Sequence, residues 1–340
     1  MRKKEIGSEF WSVPTCDKPN RLFPEAAQWF ISGRSALKAV IQDMRAVRTV
    51  AMPSWCCESM FKPFLDEGIK VFFYPVYWEN GLRQEVRLDC DALFILDYFG
   101  YTTEPGNLNY KGIIIRDVTH SIFSSCYSDA DYYFGSLRKW CGIWTGGYAW
   151  TRDGHSLPMD HPDDTGYVDL RKKAMIQKAL YISGNQVIQG NSVPDKAFLQ
   201  LFNKAEEYLD LIGIAPASER DILLAEVLDA DYIKARRRAN AEILRTAFLD
   251  WLVFKEMADE DCPAFVPVLV PAGKRDALRQ YLISKEIYCP VHWPVSSGHM
   301  LNGRQTDLYN NELSLVCDQR YSEEDMQRLV METELFWKEA

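Results

Sequence analysis

From about residue 35 the chain alternates between two hydrophobic periods. SALKAVIQDM sets Ala36, Leu37, Val40, Ile41 and Met44 at helical spacing, and RTVAMP after it reads as a short strand. SMFKPFLDEG is a helix pattern stopped by Gly68, and IKVFFYPV is again a strand. ALFILDYFG and KGIIIRD are short continuous apolar runs bounded by turn residues, the pattern of strands buried on both faces of a parallel sheet. ADYYFGS and GGYAWTR add two more strands, closely spaced. Strands interleaved with helices predict an α/β sheet covered on both faces.

The pattern then changes. Residues 153–166 (DGHSLPMDHPDDTG) are polar and loop-like, and from 169 to about 255 the chain is helical: DLRKKAMIQKALY, DKAFLQLFNKAEEYLDLIG, ERDILLAEVLD and a long run through ARRRANAEILRTAFLDWL. Strand PAFVPVLVP, helix KRDALRQYLISK, strands IYCPVHWP and ELSLVC and helix SEEDMQRLVMETELFW follow, a small α+β unit with a core of its own. The predicted division falls near residue 229, inside helix. It separates a large domain, 1–228, with an N-terminal arm over about the first 22 residues, from a small C-terminal domain, 229–340.

Composition narrows the class. A length of 340 residues fits two domains, and 47% hydrophobic with 26% charged residues is ordinary for globular protein. A net charge of −9 argues against a polyanion partner such as nucleic acid. The basic run Lys234–Arg238 lies in a helical pattern and predicts a solvated helix face. Nine cysteines without a CxxC spacing predict neither zinc nor a disulfide framework. No apolar run reaches the length of a membrane span, and the opening MRKKEIGSEFW lacks the apolar stretch of a signal peptide, so a reducing cytoplasmic setting is expected.

Three stretches carry residue types suited to chemistry. Asp117 ends the apolar run GIIIR, at the carboxyl end of a predicted strand, where open α/β sheets bind ligands; it is either a cap for the next segment or a ligand contact. In SGRSAL, Gly33 gives a turn and Ser35 opens a helix, a start that suits phosphate but is also a common plain cap. In FGSLRKW, Lys139 is an amine able to form a Schiff base, with Ser136 three residues before it; the alternative is a solvated loop lysine.

Taken in order, these elements resemble the fold-type I pyridoxal-phosphate enzymes, and more finely the DegT-like sugar aminotransferases. SGRSALKAVI is similar to the family's phosphate-binding helix start, MPSWCCESM to its Pro-Ser-aromatic loop, and DYFG to its segment ending in aromatic-Gly. RDVTHS is similar to its Asp-x-x-(Gln or His) motif, KWCGIWTGG to its lysine-to-double-glycine segment, and EIYCPVHWP to the small-domain stretch whose histidine meets substrate. The resemblance runs from about residue 5 to 335. It implies a mostly parallel seven-stranded sheet with a small α+β domain, and pyridoxal 5'-phosphate bound as an internal aldimine to Lys139. Asp117 would face the pyridine nitrogen and His120 the ring hydroxyl. Ser35, the adjacent backbone at Ala36, and Ser136 would hold the phosphate. Trp55 would stack on the ring, and His292 and Arg34 would meet substrate. It further implies glutamate as amino donor, a nucleotide-linked keto-sugar as acceptor, polysaccharide or glycoconjugate synthesis as the setting, and a homodimer in which a partner residue such as Asn191 reaches the phosphate.

The chain departs from the family's pattern near the lysine. Phe134 stands where the family usually places its phosphate serine, and Trp144–Thr145–Gly146–Gly147 replaces Gly-Glu-Gly-Gly. Cys56 and Cys57 follow the Pro-Ser-aromatic stretch and have no activating base nearby in sequence, which predicts inert thiols. His155, His161 and His299 read as loop residues, and Trp140 and Trp144 as packing residues. Sugar dehydration on the same scaffold is one alternative, although that branch commonly replaces the lysine. A non-catalytic cofactor- or sugar-binding protein is another. An unrelated nucleotide-binding α/β protein has no GxGxxG or P-loop to support it.

Overall fold

The computed structural model describes residues 5–339 apart from 87–88, 104–108, 125–128, 161–164, 185–186, 189–190, 193–195 and 300. Seven strands make its main sheet: β1 (Gln28–Phe30), β2 (Thr49–Pro53), β3 (Lys70–Tyr74), β4 (Ala92–Leu96), β5 (Ile113–Asp117), β6 (Tyr132–Ser136) and β7 (Gly147–Thr151), in the order β1-β7-β6-β5-β4-β2-β3. The pairs β2/β3, β2/β4 and β4/β5 are parallel, and β1 runs antiparallel to β7. β4 and β6 are buried at every position, as continuous apolar runs require of strands covered on both faces. The seventh strand, β1, has only three residues (QWF) and no pattern of its own to mark it.

Contacts divide the chain into two compact units, 1–8 with 45–133 and 230–340, and 9–44 with 134–229. The first contains α2 (Glu58–Asp66), and after residue 230 the helices α6 (Ala230–Ala247), α7 (Arg275–Ser284), α8 (Gly303–Asn311) and α9 (Glu323–Glu339) with the antiparallel pair β8 (Val266–Leu269) and β9 (Glu312–Leu315). Leu244, Val266, Leu278, Leu313 and Leu329 lie in one core cluster of this C-terminal part. The second unit contains α1 (Gly33–Asp43), α3 (Thr165–Ser183), α4 (Phe198–Leu209) and α5 (Glu219–Glu226). Residue 229 falls between α5 and α6, not inside a helix as the periodicity predicts, because Leu228–Asp229 leave the helical path before Ala230 begins α6.

Other elements differ from the sequence reading. IYCPVHWP is strand only at Ile287–Tyr288, after which Pro290 and Pro294 limit further pairing. The basic run in α6 is solvated only in part. Arg237 is fully buried and donates to the Gln319 side chain and to the carbonyls of Pro263 and Ala264, while Arg238 donates to those of Ala258 and Asp261. Helical period alone does not distinguish a surface arginine from one that ties off loop carbonyls. Among the described residues, no helix is long and apolar enough to cross a membrane.

Candidate active site

In the second unit the helix start, the lysine segment and the double glycine converge. The N-cap of α1 is Ser32, whose hydroxyl accepts the Ser35 N–H at 3.1 Å, so the helix opens at Gly33, two residues before the serine that sequence singles out. The Ala36 N–H bonds the Ser32 carbonyl, and the orphan donors of the first turn are those of Gly33 and Arg34. Ser35 is buried, and its hydroxyl lies between the Gly213 and Ala215 carbonyls (3.1 and 3.3 Å) and accepts the Ala215 N–H (2.9 Å). Ser35 thus anchors α1 to the 213–215 segment. Ser136 instead ends β6 against the helix start: a β-carbon at Gly33 would sit 3.2 Å from that of Ser136. The Ser136 hydroxyl makes no hydrogen bond with a described residue. Orphan N–H groups at a helix N-terminus beside an uncommitted hydroxyl form an anion cradle.

Lys139 ends the short 3-10 turn Leu137–Lys139 and is exposed, with no hydrogen bond or ion pair to a described residue. The residue before it, Arg138, turns away, donating to the Tyr167 hydroxyl (2.5 Å) and pairing with Glu206 of α4 at 2.6 Å. Glu206 also takes Arg34 at 3.3 Å, and Arg34 reaches Asp210 at 3.2 Å. Burial alone would raise the Glu206 pKa; Arg138, Lys139, Arg34 and Arg171 outweigh it and hold it down at about 2. Arg34, expected to meet substrate, is therefore already clamped by α4.

The departure at Trp144–Thr145 has a structural account. The Thr145 hydroxyl and N–H both donate to the buried Asp221 carboxylate (2.7 and 2.8 Å), and the Arg220 guanidinium lies 3.8 Å over the Trp144 ring. Thr145 thus pins the loop to α5, and Leu137 N–H bonds the Gly146 carbonyl (2.8 Å). Sequence could not reveal Asp221 or Glu206 as partners, since both act across long separations.

In the first unit Asp117 is buried at the end of β5, and its Oδ1 accepts the Thr119 N–H at 2.9 Å. The turn this cap holds carries His120, whose ring stacks on Phe99 (centroids 5.2 Å, 26°) and lies parallel to Trp293 (6.2 Å, 5°). Phe99 itself has φ 55°, an uncommon conformation for a bulky residue, held by the Ala264 N–H on its carbonyl at 2.8 Å. Trp55 is fully enclosed: it stacks on Tyr98 (4.9 Å, 17°), meets Trp293 edge-on, and donates to the His292 carbonyl at 2.7 Å. Its position is that of a buttress under His292, with no ring face exposed. The His292 ring lies 5.9 Å from that of His120, and its Nδ1 is 2.8 Å from the Ser314 hydroxyl.

Cys56 is buried, with its Sγ 3.9 Å from His299 Nε2, and burial followed by Cys57 raises its pKa well above the ordinary thiol value. His299 is more embedded than a loop residue, packed on Phe61 and Phe73 with its Nε2 3.1 Å from the Tyr309 hydroxyl; burial lowers its pKa. His161, Cys126 and the Asn191 side chain lie outside the described residues. No group of three or more metal-ligating side chains occurs among the described residues.

Neither a scan against protein-family models nor a search of curated proteins finds a match. Solved structures do. PseC of Helicobacter pylori, an aminotransferase of pseudoaminic acid biosynthesis, aligns at TM-score 0.65 and 15% identity over 98% of this chain and 100% of its own. A DegT DnrJ EryC1 StrS aminotransferase of Brucella abortus aligns at 0.59 and 15% over 91% and 85%. Spr1654 of Streptococcus pneumoniae, assigned as a sugar aminotransferase, aligns in its PLP form at 0.61 and 11% over 96% and 93%, and also in its PMP form. The chain has the α/β fold of these aminotransferases from end to end.

Proposed function

We propose that this protein is a pyridoxal-phosphate-dependent aminotransferase that transfers an amino group from glutamate to a nucleotide-linked keto-sugar, in polysaccharide or glycoconjugate synthesis. The observation that carries the reading is the Ser136 hydroxyl, uncommitted among the described residues, beside the orphan N–H groups of α1 and three residues before the exposed Lys139. These groups fit a phosphate and a carbonyl-reactive amine. When bound, the cofactor supplies an aldehyde and an electron-accepting ring.

The chain's own residues divide the work. Ser136 and the N–H groups of Gly33 and Arg34 would hold the phosphate, and Ser35 and Ala36 fix the helix turn that presents them. The buried Asp117 carboxylate would face the ring nitrogen and favour its protonated form. His120 borders the ring hydroxyl. Lys139 Nζ would be the amine that meets the cofactor's aldehyde, and would serve as general base and then acid for the proton that passes from the donor's α-carbon to the carbon that had carried the aldehyde. His292 faces substrate with Trp55 beneath it. Arg34 contributes positive charge from its place on Glu206. A homodimer completes the phosphate site; light scattering that gave a monomer still able to bind cofactor would count against this part.

The test is a visible spectrum of protein incubated with pyridoxal phosphate, before and after glutamate. A band that glutamate bleaches, absent in Lys139→Ala, is expected; no band under any loading condition overturns the reading. A band with no response to any amino donor would favour the non-catalytic binding protein.

A further inference from the structure

β9 carries Glu312 and Ser314 two residues apart, hence on one face, while Leu313 and Leu315 enter the core on the other. Both polar side chains are fully buried, and both turn to the 290–292 segment. One Glu312 oxygen, Oε2, accepts the His292 backbone N–H at 2.7 Å; the other, Oε1, accepts the Ser314 hydroxyl at 2.5 Å. The Ser314 oxygen lies 2.8 Å from His292 Nδ1, and Ser314 N–H bonds the Pro290 carbonyl at 2.9 Å.

Directionality gives this chain of bonds a consequence. A hydroxyl has one proton. When Glu312 is a carboxylate, Ser314 must give that proton to Oε1 and can only accept from His292, which fixes the Nδ1–H tautomer and leaves Nε2 the acceptor nitrogen. When Glu312 carries a proton on Oε1, it donates to Ser314, Ser314 donates to Nδ1, and Nε2 carries the hydrogen. We propose that Glu312 is a positioning residue that sets, through Ser314, which nitrogen of His292 is presented as acceptor to substrate. The link to substrate rests on the aminotransferase reading; the tautomer control does not.

The groups around the cluster do not obscure it. Arg275 of α7 binds the carbonyls of Glu312 and Tyr309 (3.1 Å each), Arg279 that of Cys289 (3.3 Å), and His120 faces the His292 ring. Burial pushes the Cys289 thiol up to about 12 and raises the Tyr309 phenol as well, so both stay neutral. Burial also moves Glu312 up to about 8, opposed by its bonds to Ser314 and His292 and by Arg275, which places both of its states within reach of experiment.

The experiment is nitrogen NMR of full-length protein labelled at histidine, without cofactor or substrate, with His292 assigned by loss of its signals in His292→Gln. At about pH 9.5, above the range where Glu312 takes up its proton, the native protein should show Nδ1–H and an unprotonated Nε2. Glu312→Gln, whose amide donates toward Ser314, should show Nε2–H at the same pH. Native protein in the Nε2–H form at that pH, or Glu312→Gln in the Nδ1–H form, overturns the proposal. If Glu312→Gln fails to fold, Ser314→Ala serves: mixed tautomers support the relay, and an unchanged Nδ1–H form overturns it. With cofactor and donor, Glu312→Gln should lower kcat about tenfold at unchanged KM, a smaller loss than the roughly 10²- to 10⁴-fold of an acid–base group removed outright. Full kcat with a switched tautomer overturns the link to substrate. A protein with no transamination at all would fail the functional reading while leaving the tautomer result intact.

Discussion

A β-carbon placed on Gly147 would lie 2.0 Å from the carbonyl oxygen of Ser32. The first residue of β7 therefore passes directly over the N-cap of α1, and only glycine permits the approach. Gly147→Ala should displace the helix start and cost about 1–3 kcal/mol, the usual range for forced overpacking. Urea unfolding would measure the loss, and a cofactor titration should show weakened uptake as the cradle opens. Unchanged stability and unchanged uptake would count against the cradle geometry.

Glu206 predicts a response to acid. Its folded-state pKa, about 2, lies below the ordinary carboxylate value, so its contribution is fully present above about pH 4.5 and is lost as pH falls through 2. The side chain is about a third exposed, so solvent screening reduces the effect to about 1 kcal/mol. Glu206→Gln should be less stable at pH 7 and should lose less between pH 5 and pH 3 than the native protein. Parallel unfolding curves for the two proteins across that range would contradict the pairing.

The sheet and the site read from sequence to different depths. Strands β2 to β7 were legible because each is an apolar run or follows a helix, and both periods are local. β1 was not, since QWF is too short to show alternation. Lys139, Ser136 and Asp117 stood out as candidates because each ends or follows such a run. Their supports were not. Asp221 and Glu206 hold the lysine segment from helices tens of residues away, and a carboxylate on a helix normally marks a solvated face. Glu312 was hidden by its own strand: ELSL alternates as a half-buried strand does, and its polar face is covered by the His292 segment instead of water. Ser35, a residue type suited to phosphate, has its hydroxyl occupied by the backbone of Gly213 and Ala215.

His155 predicts a second pH effect, of opposite sign. Its ring nitrogens lie 2.6 Å from Asp153 and 2.8 Å from Asp43, joining the turn after β7 to the end of α1. The Asp43 and Asp153 contacts raise its pKa above the ordinary histidine value. The stabilisation is then fully present below about pH 6.5 and is lost as pH rises through the folded value. His155→Ala should flatten the fall in melting temperature between pH 6 and pH 8 and leave catalysis untouched. An equally steep fall in the variant would remove the bridge from the account.

On the proposed reading, Ser136 separates holding the cofactor from using it. Its hydroxyl is the side-chain donor at the helix start, and Lys139 lies one short turn beyond it. Ser136→Ala removes one hydrogen bond to an anion, worth about 1.5–3 kcal/mol, which predicts an affinity for pyridoxal phosphate about 10- to 150-fold weaker. Lys139 remains, so the saturated variant should keep the native absorbance band and most of the native rate with glutamate. Lys139→Ala should do the reverse, retaining phosphate-driven binding while losing the band and the turnover. A spectroscopic titration of both variants distinguishes the roles. Native affinity in Ser136→Ala would move the phosphate elsewhere, and a native band in Lys139→Ala would move the amine.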